Sequence, residues 1–237
     1  MENNQHPIVF GGYTKNQLAT IIALIFHAIG IIGILFINQA LFAKASALNL
    51  LLMFGLLLYT QKKINTHFVL FFSFVFTSGF FIEMIGTKTG WLFGNYAYGT
   101  TLGFSIQQVP LIIGINWFII IYCCGISTEA LLHSLMNKLS PTAESPKPLL
   151  KKISVLIDGA TIALLFDWIM EPVAIKLGYW KWITNGSVPL YNYFCWFVIS
   201  LLFLFAFHHF KFIKRNIFAV HLLLIQTIFF LLLRTFL

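Results

Sequence analysis

A chain of 237 residues that is 59% hydrophobic and only 9% charged has too little polar surface to fold in water, because soluble domains carry about 25% charged residues. Its formal charge of +8 comes from lysines and arginines scattered through loops, a pattern that fits membrane orientation and argues against a nucleic-acid partner. The three cysteines, Cys123, Cys124 and Cys195, lie in apolar runs without metal or disulfide spacing, so they read as packing residues.

Residues 1–16 form a polar N-terminal segment containing Pro7 and the Gly11-Gly12 pair. It does not read as a signal peptide, since no small-residue cleavage site follows a short apolar region. Residues 17–237 read as one domain: an all-α, polytopic membrane helical bundle of about seven transmembrane helices. The expected spans are Gln17–Ile37, Ala45–Tyr59, His67–Ile85, Ser105–Gly125, Ile153–Met170, Tyr191–Phe210 and Asn216–Leu233. Most approach the ~20 residues that a spanning helix needs; the second is short. Ile126–Leu139 reads as an amphipathic continuation of the fourth span, and Ser140–Pro148, with three prolines, as a linker. No internal repeat stands out, although the loops after the third and fifth spans are both rich in glycine, tryptophan and tyrosine.

With seven spans, Lys15, Lys62, Lys63, Lys138, Lys147, Lys151, Lys152, Lys211, Lys214 and Arg215 share one side. Lys44, Lys88, Lys176, Lys181 and Arg234 share the other. The bias places the N-terminus in the cytoplasm and the C-terminus outside. Glu83, the loop 86–103, Asp167, Glu171 and the loop 172–189 then all fall at the non-cytoplasmic side.

Four of the seven acidic residues lie in or at the ends of two apolar stretches. A charged side chain at mid-bilayer costs roughly 2.5–3.5 kcal/mol on insertion scales, so each marks a candidate site. Asp167 and Glu171 are four residues apart and share a helix face; Pro172 is expected to end that helix just after Glu171. Two carboxyls in a low-dielectric setting do not both ionise cheaply, so one is expected to keep its proton at neutral pH. Protonated, it could protonate a carbon–carbon double bond; the bland alternative is a solvated interfacial pair bonded to backbone or to Lys176. Glu83 is either a third carboxyl of the same pocket or an interfacial glutamate. Asp158, about 9 Å above Lys152 at 1.5 Å per residue, is on the cytoplasmic side and reads as a structural hydrogen-bonding or secondary acid; Gly159 beside it permits close helix approach.

Trp91, Phe93, Tyr96 and Tyr98 crowd the glycine-rich segment 90–99, and Trp180 and Trp182 follow Gly178. Such residues form interfacial belts in many membrane proteins. Beside carboxylates they can instead line a cavity whose π faces stabilise a cation by about 0.5–2 kcal/mol each. The sequence holds no phosphate-binding glycine loop, no Ser/His/Asp arrangement, no dinucleotide fingerprint and no metal-ligand spacing among its histidines.

Glu83, Gly90-Trp91-Leu92-Phe93-Gly94-Asn95-Tyr96-Ala97-Tyr98, Val109-Pro110-Leu111, Trp117, and Asp167-x-x-x-Glu171-Pro172-Val173-Ala174 followed by Gly178-x-Trp180-x-Trp182 together resemble the carotenoid biosynthesis membrane family. That family includes bisanhydrobacterioruberin hydratases and bacterial carotenoid 1′,2′-hydratases of the CruF type. The resemblance covers roughly residues 15–235. It implies addition of water across the terminal double bond of a linear ψ-end carotenoid of the lycopene or γ-carotene type, without a cofactor, in a bacterial cytoplasmic membrane. It implies Asp167 and Glu171 as the acid–base pair with Glu83 as a third candidate, and Trp91, Phe93, Tyr96, Tyr98, Trp117, Trp180 and Trp182 as the substrate-facing aromatics. The implied partners are the carotenoid, water, membrane lipid and other carotenoid enzymes. The same first step would serve a lycopene-type cyclase, which requires a drier pocket. A non-catalytic carotenoid- or lipid-binding protein is the reading from a different class; a transporter would favour repeated halves with broken helices.

Overall fold

The computed structural model of the chain describes residues 8–10, 12–139, 148–183 and 187–237. A short hairpin, β1 (Ile8–Phe10) and β2 (Tyr13–Thr14), leads into α1 (Lys15–Ile32). Thr14 and Gln17 close a capping box there, each side chain serving the other's backbone N–H. A π-helical turn at Gly33–Ile37 ends this first span, and α2 (Gln39–Lys44) and α3 (Ser46–Thr60) follow. The remaining helices are α4 (Thr66–Thr89), α5 (Ile112–Leu139), α6 (Pro148–Lys176), α7 (Leu190–His209) and α8 (Ile217–Phe236).

Among the described residues, six helices are long and apolar enough to cross a membrane, and α3 is a shorter apolar helix. At 1.5 Å per residue its 15 residues extend about 22 Å. It still joins the two ends of the bundle. Ser46, at its start, hydrogen-bonds the Tyr179 hydroxyl. Gln61, just past its last residue, accepts from Tyr122 and donates to the Ile213 carbonyl at the opposite end. With α3 included, seven of the described helices run between the two ends of the bundle; six of them are long enough to span, against the seven spans expected.

Two boundaries differ from the sequence reading. The fourth span begins at Ile112, not Ser105. Residues 105–110 instead form a hairpin, β4 (Ser105–Ile106) with β5 (Val109–Pro110), turned by Gln107 and Gln108, both at positive φ. A two-residue turn with both φ positive matches the twist of its strands. As expected, α5 then continues through Ile126–Leu139 without a break. The fifth span does not stop at Glu171: α6 runs through Pro172 to Lys176. Proline has no N–H for the carbonyl four residues back, here that of Trp168. Arg234 of α8 donates to that carbonyl from Nη1 at 2.9 Å and lies over the Trp168 ring. The missing helical bond is thus replaced from another helix. The proline-rich stretch 140–147 lies outside the described residues.

Small residues bring the helices together both at the site and away from it. A Cβ on Gly79 of α4 would stand 2.9 Å from the Trp117 side chain of α5, so only glycine admits that indole. At Gly159 a Cβ would stand 2.9 Å from Leu204 of α7, in keeping with the close approach expected beside Asp158.

Candidate active site

A two-stranded antiparallel ribbon caps one end of the bundle. Its strands are β3 (Tyr96–Tyr98) and β6 (Trp180–Trp182), paired Tyr96 to Trp182 and Tyr98 to Trp180. The loops that share a glycine, tryptophan and tyrosine composition are thus partners. Backbone bonds extend the ribbon at both ends, Ile183 N–H to the Asn95 carbonyl and Gly99 N–H to the Tyr179 carbonyl. A Cβ on Gly99 would collide with the Gly178 carbonyl oxygen, so the ribbon closes only on glycine. Because strand side chains alternate between faces, Tyr96, Tyr98, Trp180 and Trp182 all project from the same face. That face meets the C-terminal turns of α4 and α6.

Two carboxylates receive it. Glu83 Oε2 accepts from the hydroxyls of Tyr96 and Tyr98, and its Oε1 accepts from Trp117 Nε1 at 2.9 Å. Burial, and then the Glu83 charge, push the Tyr96 and Tyr98 phenols well above their ordinary range, so both remain donors. Glu171 Oε1 accepts from Trp180 Nε1 at 2.8 Å and from Trp182 Nε1. The third acid has far less support. Asp167 Oδ2 accepts from Asn192 Nδ2 at 3.1 Å, while Oδ1 is buried with no hydrogen-bond partner. Asp167 is 0% exposed, Glu171 2% and Glu83 5%.

All three face one cavity, with about 30 Å³ of free space for water. Phe93, Tyr96, Tyr98, Trp117, Trp180 and Trp182 line it with them. Phe93 is held at φ 65, a conformation rare for a bulky residue and often associated with functional sites. The structure leaves two of the named residues outside this group. Trp91 is 77% exposed at the rim, where its carbonyl accepts from Tyr191. Asp158 is exposed toward the opposite end of α6 and accepts from Ser154.

Asn116, Asn192, Ile113, Met170 and Trp196 also line the cavity, and the sequence reading passed over them. Trp196 stacks on Trp117 with ring centres 4.1 Å apart. The two asparagines carry a readable signal, a polar side chain inside an apolar span. Searching for charge alone does not find it.

The fold and site define an integral membrane helical bundle with a buried cavity of acids and aromatic rings at one end. The family model for carotenoid biosynthesis proteins matches residues 41–237, and the chain belongs to that family. The chain is 29% identical over 133 residues to the bisanhydrobacterioruberin hydratase of Haloarcula japonica. That match covers 53% of this chain and 41% of the relative, so it spans well under half of the longer protein. No solved structure matches.

Proposed function

We propose that this protein hydrates the terminal double bond of an acyclic, ψ-end carotenoid. The observation that carries the reading is the unequal support of three carboxyls around one cavity. Asp167 is the acid: its unpartnered Oδ1 carries the proton and delivers it to the less substituted alkene carbon. The π electrons form the new C–H bond and leave a tertiary carbocation, which the surrounding rings of Trp117, Trp180 and Trp182 shelter. Glu171, fixed by two indole N–H donors, is the base that takes a proton from the attacking water. The water lone pair forms the C–O bond, and the proton gained by Glu171 returns to Asp167 in a later exchange. Only water is consumed, because the proton that Asp167 gives is restored to it. Glu83 meets only donors; it has no proton to deliver and serves as the fixed anion that anchors the ribbon.

Similarity to a bisanhydrobacterioruberin hydratase supports water capture over cyclisation, as does a polar cavity with room for water. The test is expression in a host that accumulates lycopene or γ-carotene, with pigments analysed by liquid chromatography and mass detection. The expected product is heavier by one water. An isomer of unchanged mass with a ring-end spectrum would establish a cyclase instead, and unchanged pigment in both hosts would overturn carotenoid hydration.

We further propose that the site faces the non-cytoplasmic side, because the basic residues concentrate at the opposite end of seven traverses. A reporter fused after Leu237 is expected to read as non-cytoplasmic. A cytoplasmic signal would reverse the orientation and move the site to the inner face.

A further inference from the structure

The cavity contains more unpaired polar groups than a dry pigment pocket tolerates. Asp167 Oδ1 is buried without a partner. Glu171 takes both indole donors on Oε1, which leaves Oε2 with no donor among the described residues. Asn116 reaches the same wall from α5, one residue before Trp117, and its amide hydrogen-bonds no other described residue. An amide in a membrane bundle that finds no protein partner is stable only against water or a ligand. A water site needs roughly 10–15 Å³ and two to four polar partners. The cavity, at about 30 Å³ and with three unpaired groups, meets both conditions.

We propose that Asn116 is the positioning residue for the attacking water and so decides the fate of the cation. This rests on the hydratase reading above. The Asn116 carbonyl oxygen and Glu171 Oε2 each accept one water hydrogen, which leaves an oxygen lone pair free for the cationic carbon. With the water held, that lone pair forms the C–O bond and Glu171 receives the released proton. Without it, the same cation loses a proton from an adjacent methyl or methylene carbon to Glu171. The electron pair of that C–H bond becomes a new π bond, and an alkene of unchanged mass results. In heavy water this second path writes deuterium into recovered substrate.

The experiment uses the full-length protein in membranes, in deuterium oxide, with lycopene as the probe. It reads the ratio of deuterium exchange into lycopene to hydrated product. Asn116→Leu is expected to lower the hydrated product about 10–100-fold, the scale of a misplaced reactant, while exchange continues, so the ratio rises. Asn116→Ser, which keeps a small hydrogen-bonding group, is expected to fall between Leu and wild type and guards against a packing failure in the larger change. A ratio equal to wild type in both variants would overturn the assignment, whatever the absolute rates. Loss of exchange in both variants, with each still folded, would overturn it too, by making Asn116 necessary for protonation. Wild-type protein that exchanges deuterium but forms no hydrated product would instead remove the hydratase reading on which the assignment stands.

Discussion

Asp167→Asn is expected to abolish most hydrated product while leaving the bundle intact. The substitution is nearly isosteric, and an asparagine carbonyl oxygen can still accept from Asn192 Nδ2, the single donor that Asp167 receives. What is lost is the transferable proton on the unpartnered oxygen. General acid catalysis of this kind contributes about 10²–10⁴-fold, and product yield should fall by that factor. Thermal unfolding in detergent should change by no more than a few degrees. Wild-type-like yield from a folded Asp167→Asn protein would remove Asp167 from the acid role.

The second large effect falls on stability. Glu83→Leu is expected to unfold the capped end of the bundle, because one carboxylate accepts from Tyr96, Tyr98 and Trp117. Each buried donor left without an acceptor costs about 1–3 kcal/mol, and three are orphaned together. The thermal midpoint should drop sharply, and protease should cut between Gly90 and Gly103 more readily than in wild type. Glu83→Gln should sit between the two. Its carbonyl still accepts, but its amide nitrogen presents a donor to one of the three donors. A Glu83→Leu protein as stable as wild type would show that the ribbon is held by packing alone. The contrast is the point of the pair of experiments: of two buried acids lining one cavity, one is expected to be dispensable for folding and the other not.

The acids were legible in the sequence because charge inside an apolar run is expensive, and Glu83, Asp167 and Glu171 break such runs. Their convergence at one end also followed, from counting spans and basic loops. The ribbon was not legible. Three residues of strand hold no periodic signal, and residues 96–98 find their partners more than eighty positions away, at 180–182. Their aromatic composition was visible; their pairing is tertiary. Pro172 misled for a related reason. The local rule that proline ends a helix is sound, but Arg234 supplies the lost bond from another helix. At the start of α5, an apolar stretch that includes Phe104 and Ile106 concealed a hairpin whose turn, Gln107-Gln108, lacks the asparagine or glycine that ordinarily betrays such a conformation. Asn116 and Asn192 escaped because they are uncharged.

The ribbon also governs which changes of length this architecture can accept. The donors that the ribbon gives to Glu83 and Glu171 alternate along two paired triplets, so their aim depends on register and not on identity alone. One residue inserted between Tyr96 and Tyr98 would turn one phenol away from Glu83, and by shifting its cross-strand neighbours would pull at least one indole away from Glu171 as well. Length variation is therefore forbidden within the ribbon, and its side chains around the two glutamates can be altered only as a set.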